Sequence, residues 1–336
     1  MFLGADVSYI NEVEDLGVVF SQNGQPTDPF VILKDNGANI ARVRLWHTPT
    51  WTAYSNLDDV ERTLRRAKDV GMSLLLDFHY SDTWADPAKQ IIPAAWANLD
   101  EDQLVDALYA YTFDTLSHLH HSDLMPDFVQ IGNEINTELL MPGHHVEGVQ
   151  IRWPRNARLI NAGVKAVRDI NKQLGTQTRT ILHIAQPEFV LWWFDEALQA
   201  GVRDFDIIGM SYYPKWSTYD LQEMGAVVAE ACRRYGKQFM LVELAYPWTL
   251  EHYQSDEHLL SDDCLIEGYP ATQEGQRRFL VDVTQTVKAN GGMGVIYWEP
   301  AWISAPQRVS IWENSTLFDF KGAAHEGIKF FSYKYE

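Results

Sequence analysis

Short apolar runs alternate with longer amphipathic stretches from one end of the chain to the other. Residues 2–8 (FLGADVS), 39–46 (NIARVRLW), 73–80 (SLLLDFHY), 127–134 (DFVQIGNE), 180–186 (TILHIAQ), 206–213 (DIIGMSYY), 238–245 (QFMLVELA) and 294–300 (GVIYWEP) read as strands. Between them, residues 28–37, 57–70, 102–121, 156–174, 189–200, 219–235 and 272–290 repeat apolar positions at helical spacing, and a last such stretch covers 323–332. Leu57, Val60, Leu64 and Ala67 show the period well. Eight strands alternating with eight helices predict parallel strands, each followed by a crossover helix.

A doubly wound sheet would carry a glycine-rich phosphate fingerprint after its first strand, and GADVSYINEVEDLG is not one. No Pro/Ser-rich linker, low-complexity segment or short-period repeat interrupts the alternation. The pattern and the length predict one (β/α)8 TIM barrel over residues 1–336. Such a barrel puts its active site at the C-terminal ends of the strands.

Nearly every strand ends in polar or aromatic residues: Asp6 and Ser8, Arg42 and Arg44, Asp77 and His79, Asn133 and Glu134, His183, Tyr212 and Tyr213, Glu243, Trp298 and Glu299. Any one of these is readily explained as a paired core group; their recurrence at strand after strand points to a site. Glu134 and Glu243 end the fourth and seventh strands, which face each other across a barrel mouth. Glycoside hydrolysis needs such a pair of carboxyls, about 5–5.5 Å apart for retention of configuration and about 6.5–9.5 Å apart for inversion. By period two, Phe128, Gln130, Gly132 and Glu134 share one face, so Glu134 is expected to point inward with Gln130. Arg44 is the expected cationic partner of Glu243.

Composition narrows the partners. A net charge of −19 excludes nucleic acid and an anionic membrane surface as natural ligands. No apolar run reaches the ~18–20 residues of a membrane span. The two cysteines, Cys232 and Cys264, make neither a disulfide scaffold nor a zinc site. Twelve Trp are many, and several stand beside Pro, Gly or Asp, as sugar-stacking platforms do. The start MFLGADVSYI has no charged segment or cleavage site and is not read as a signal peptide.

Longer stretches carry a family resemblance. GADVS, LKDNGAN, RVRLW, DFHYSDTWADPAKQ, IGNEI, SYYPKW, VELAYPWT and YWEPAWI together resemble the family 53 endo-β-1,4-galactanases, members of a large clan of retaining barrel glycosidases. The resemblance runs from Gly4 to about residue 320. It implies a double-displacement enzyme with Glu134 as general acid/base and Glu243 as nucleophile, acting on the galactan side chains of pectin. It further implies sugar contacts from Arg44, His79, Asp82, Trp84, Asp86, Asn133, His183, Tyr212, Tyr213 and Trp298, with Asn133 at the 2-hydroxyl, Trp298 as floor and Trp84 on the leaving-group side; Trp216 and Trp302 are candidates for outer subsites. No cofactor is implied. A monomer is expected, working outside the cell or in the periplasm, with any signal or lipoprotein leader lying outside this chain.

Three departures from the family pattern stand out. Ala185 and Gln186 follow His183 where relatives carry an acidic residue, removing one sugar contact. Some bacterial relatives bind calcium just after the nucleophile strand, but the matching positions here are His252, Gln254, Asp256 and His258; two imidazoles suit calcium poorly, and no calcium is expected at 252–258. The short segment between EPAWI and LFDFKG predicts fewer glycone-side subsites and shorter products. The alternatives are another endo-β-glycanase of the clan, acting on mannan or cellulose, and a barrel that binds carbohydrate without cutting it. A metal-dependent barrel hydrolase is disfavoured because no H-x-H pair follows the first strand.

Overall fold

A computed structural model of the chain describes residues 1–143 and 150–336. Among these residues, eight parallel strands close into a barrel. They are β1 (Phe2–Asp6), β2 (Ile40–Leu45), β3 (Ser73–Phe78), β4 (Phe128–Ile131), β5 (Arg179–Ala185), β6 (Ile207–Tyr212), β7 (Gln238–Leu244) and β8 (Gly294–Tyr297). Each pairs with its neighbours in sequence, and β8 closes on β1 through Phe2–Gly294 to Ala5–Tyr297. The helices are α1 (Ile10–Asp15), α2 (Pro29–Asp35), α3 (Leu57–Asp69), α4 (Glu101–His121), α5 (Trp153–Leu174), α6 (Pro187–Gln199), α7 (Leu221–Tyr235) and α8 (Gln273–Ala289).

Every predicted strand is present within a few residues, usually shorter at its C-terminal end because the chain turns out into the mouth there. The helix expected at 323–332 is instead a 3₁₀ helix, Glu326–Ser332. Three residues per turn put Ile328 and Phe331 on one face, and both are buried, as is the intervening Phe330. The short α1 was not anticipated; six residues are too few to show a period.

Two apolar layers hold the barrel. One lies between strands and helices and joins residues such as Leu76, Val129, Leu182 and Leu241 to Leu64, Leu108, Val164 and Phe279. The other fills the lower lumen with Ile40, Leu75, Phe128, Ile181, Ile207, Met240 and Ile296. Two residues further along several of these strands the inward position turns polar: Arg42 after Ile40, Asp77 after Leu75, Gln130 after Phe128, His183 after Ile181. The period-two pattern thus carries an apolar plug below and a polar chamber above it.

Candidate active site

At the end of β4 the pleat stops at Ile131. Gly132 adopts φ +85°, and a Cβ there would lie 2.5 Å from Ile135 Cγ2. Glu134 also takes a left-handed conformation, φ +45°, which costs a non-glycine residue about 1–3 kcal/mol. Its N–H points at His183 Nδ1 (3.3 Å), its carbonyl accepts from Asn136 N and Gln90 Nε2, and Ile135 N donates to His183 O. The turn aims Glu134. This corrects the expectation that the strand pleat itself would carry it inward.

At β7 the aim comes from a bulge. Met210 pairs with Leu241 but Ser211 pairs with Glu243, so β7 holds one extra residue. Val242 packs in the lumen with Met240, whereas Leu241 and Leu244 pack outward. The extra residue turns both Val242 and Glu243 inward, as bulges beside active sites do.

Arg42 organises the chamber. Its Nη1 bonds Asp6 Oδ2 at 2.7 Å, and its Nη2 lies 2.8 Å from Asp77 Oδ2 and 2.9 Å from Glu243 Oε1. Its Nε donates to Gln130 Oε1 and its Nη2 also to Asn133 Oδ1. Burial works against the Arg42 charge, but Asp77, Glu243 and Asp6 outweigh it and raise its pKa. Arg42 is therefore the cation beside Glu243, not Arg44 as expected from the sequence. Arg44 pairs instead with buried Glu299 at 2.7 Å. Both arginines point into the lumen, but Arg42 starts lower, and its length brings the guanidinium level with Asp77, two residues up the neighbouring strand.

The second oxygen of Glu243 accepts from Tyr213 Oη at 2.9 Å. Burial, then the Glu243 charge, pushes the Tyr213 phenol well above its ordinary value, so it stays a donor. Its neighbour Tyr212 is, by the family resemblance, expected to contact sugar. It faces the other way, fully buried, and its hydroxyl donates to Tyr219 O.

Glu134 has a different setting. It is partly exposed at the mouth, and Ser211 Oγ donates to its Oε1 at 2.7 Å. Behind Ser211 stands His183, with Nε2 2.7 Å from Ser211 Oγ and Nδ1 2.9 Å from Asn133 Oδ1. Burial, then the nearby Arg42 charge, holds His183 well below the usual imidazole range, so it is neutral. Burial, then repulsion from Glu243, pushes Glu134 well above the usual carboxylate range. Burial also lifts Glu243, to about 7, with the Arg42 charge opposing the rise. Two carboxyls close enough to repel share the chamber, and the one without a cation in contact takes the proton first. Ser211 escaped the sequence reading; its period-two spacing from Tyr213 was the available signal.

Aromatic rings wall the chamber. Trp298, partly exposed, stands 4.5 Å from Trp312 and 6.0 Å from Trp84 between ring centroids. Trp302 stacks on Tyr9 at 3.9 Å. Arg44 lies under Trp84, 4.4 Å from the ring centroid, which fixes that indole in place. His79 is buried beneath the same loop: Nδ1 accepts from Ala85 N and Trp46 Nε1, leaving the proton on Nε2 toward Asp77. Both ring nitrogens are thus engaged with protein, so His79 shapes the loop. Asp82 ties it down by accepting from Thr48 N and Ala94 N, and Asp86 caps a turn through Ala88 N. Asn133 is held by Arg42 and by donation to Ala85 O.

The loop at 252–258 is built around an anion. Backbone N–H groups of Tyr253, Gln254 and Ser255 converge on the buried Glu313 carboxylate, and His258 Nε2 lies 3.3 Å from it. The His252 and His258 rings stack at 4.4 Å. Among the described residues, no group of three or more His, Cys, Asp or Glu is arranged to hold a metal ion, and no helix is long and apolar enough to cross a membrane.

Comparison with known proteins agrees with this architecture. The sequence profile of glycosyl hydrolase family 53 matches residues 2–331. An arabinogalactan endo-β-1,4-galactanase of Cellvibrio japonicus is 48% identical over all of this chain and 91% of its own length. An endo-β-1,4-galactanase of Bacillus subtilis is 34% identical over 95% of this chain and 74% of its own. The solved family 53 catalytic domain of Ignisphaera aggregans superposes with a TM-score of 0.91 at 33% identity, covering 100% of this chain and 96% of that one. With its closed barrel and its paired carboxyls at the ends of β4 and β7, this chain belongs to glycosyl hydrolase family 53.

Proposed function

We propose that this chain is an endo-acting, retaining glycoside hydrolase that cleaves β-1,4-galactosidic linkages in galactan and in the arabinogalactan side chains of pectin. The observation that carries this reading is the unequal pair: Glu134, raised by burial and by its neighbour's charge, and Glu243, held by Arg42 and Tyr213. In the first step a Glu243 oxygen attacks the anomeric carbon while Glu134 passes its proton to the departing glycosidic oxygen. The covalent ester cancels the Glu243 charge, which lowers the Glu134 pKa and lets it take a proton from the incoming water. That water breaks the ester from the opposite side, and configuration is retained. Asn133 keeps one Nδ2–H for the sugar 2-hydroxyl, and Trp298 forms the floor under that sugar. No metal is required by this sequence of steps.

The substrate assignment draws on the named relatives, and we infer from a polymeric substrate that the enzyme works outside the cell or in the periplasm. The test is the product series from pure linear β-1,4-galactan, beside mannan and cellulose, with the anomer of the first products read by NMR. Internal cuts in galactan alone, with β-anomers first, are expected. Preferred cleavage of mannan or cellulose would overturn the substrate, α-anomers first would overturn retention, and binding without cutting would favour a carbohydrate-binding barrel. A galactan product profile dominated by tetrasaccharide would sink the expectation of short products.

A further inference from the structure

The aromatic wall does not stop at Trp84. Trp46 packs against Trp84 with ring centroids 5.3 Å apart, and Trp51 lies beyond it at 4.9 Å, tilted by 45°. With the 6.0 Å step from Trp298 to Trp84, four indoles form a continuous succession of neighbours from the end of β8 to the loop after β2. Trp46 is buried and acts as a spacer, whereas Trp51, at the end of the succession, is 48% exposed.

Trp51 is not a loose surface ring. Its indole N–H donates to Asp82 O at 3.1 Å, and one side leans on Trp46. Asp82 in turn accepts from Thr48 N, so the loop bearing Trp51 and the loop bearing Trp84 are tied at the same residue. Arg44 sits under Trp46 at 4.9 Å as well as under Trp84. An indole whose polar atom is already satisfied and whose orientation is fixed presents water with a large apolar surface at no further entropic cost on binding. The apolar C–H face of a pyranose matches that surface, and a net charge of −19 favours an uncharged polymer over an acidic one.

We propose that Trp51 is a distal sugar platform that holds the outgoing end of the polysaccharide, on the side of Trp84 and several sugar units from the bond that breaks. The occupant is a hexopyranose of the neutral β-linked chain itself. This inference rests on the galactan reading and extends its cleft to a residue outside the catalytic chamber.

The experiment compares kcat/KM on long β-1,4-galactan with kcat/KM on galactotetraose, for wild type, Trp51→Ala and Trp51→Phe. Trp51→Ala is expected to lower the polymer-to-tetraose ratio about fivefold, through KM on the polymer. Trp51→Phe keeps a ring but loses the bond to Asp82, and is expected to retain most of the ratio. An unchanged ratio in Trp51→Ala, or equal losses in both variants, overturns the platform while leaving the galactanase reading intact. A wild type that leaves galactan uncut brings down that reading, and the platform with it.

Discussion

Arg42 Nη2 stands 2.9 Å from Glu243 Oε1 and 2.8 Å from Asp77 Oδ2, so one buried cation serves two carboxylates besides Asp6. Glu243, the proposed nucleophile, is therefore part of a charge cluster. Arg42→Met leaves those carboxylates without a counter-charge, and a loss of about 3–5 kcal/mol in stability is expected by chemical denaturation. Arg42→Lys keeps the charge but not the fork that reaches Gln130, Asn133 and the acids together. It is expected to fold and to lose about a hundredfold in kcat. Near-wild-type turnover in Arg42→Lys would mean that Glu243 needs only a nearby positive charge.

The two carboxyls predict a bell-shaped kcat/KM profile whose limbs belong to the pair, with the acid limb requiring ionised Glu243 and the alkaline limb protonated Glu134. The stability sign follows from the raised Glu134 pKa. A carboxyl whose folded pKa lies above its unfolded value favours folding most below the unfolded value, and that contribution is lost as pH rises through the folded value. Glu134→Gln removes this loss. Its melting temperature relative to wild type should therefore climb from pH 4 upward, while its activity collapses; a constant difference across pH would contradict a raised Glu134.

Ser211 donates to Glu134 and so favours its anion. Ser211→Ala is expected to move the alkaline limb to higher pH and to lower kcat about tenfold, because the base in the second step loses its orienting bond. Ser211→Thr, which restores a hydroxyl, should recover part of both effects. A profile that does not move in Ser211→Ala would leave Ser211 with a packing role only.

Neighbouring tyrosines should separate cleanly. Tyr213→Phe removes a donor from Glu243 and is expected to cost about ten- to a hundredfold in kcat. Tyr212→Phe removes only the bond to Tyr219 O, so about 1 kcal/mol of stability should go while turnover stays. Reversal of the two effects would show that the strand end is turned the other way.

The Glu313 seat predicts indifference to calcium. Added calcium or chelator should leave the melting temperature unchanged, since the loop N–H groups already hold an anion. Burial works to raise the Glu313 carboxyl, but Ser304 and the N–H groups of Ser255 and Tyr253 outweigh it and hold it low. A lowered folded pKa gives stability that is present above the unfolded value and lost as pH falls through the folded one. Glu313→Gln should thus be less stable than wild type at neutral pH, with the gap closing in acid. A calcium-dependent rise in melting temperature would refute the anion seat.

The barrel was legible in the sequence because each strand is buried on its outer face and changes from apolar to polar along its inner one. Glu134, Glu243, Tyr213 and Trp298 were legible because they sit where such strands end. The partner of Glu243 was not. Arg42 and Arg44 share a face and a charge, and only side-chain reach in three dimensions decides between them. Tyr212 and Tyr213 are adjacent, so one residue of register decides which meets Glu243. His79 reads as a sugar contact until its two nitrogens are seen to be engaged by Ala85, Trp46 and Asp77.

That register is set by Val242. Strict alternation from Met240 would put Glu243 against the helices, and one supernumerary residue puts it in the chamber. The chemistry of this family member thus hangs on one residue that stands outside the regular pleat. Straightening β7 into strict alternation at its present length would leave every side chain of the chamber present in the chain and turn the carboxylate toward the helices. A protein so altered would be expected to close its barrel and cut nothing.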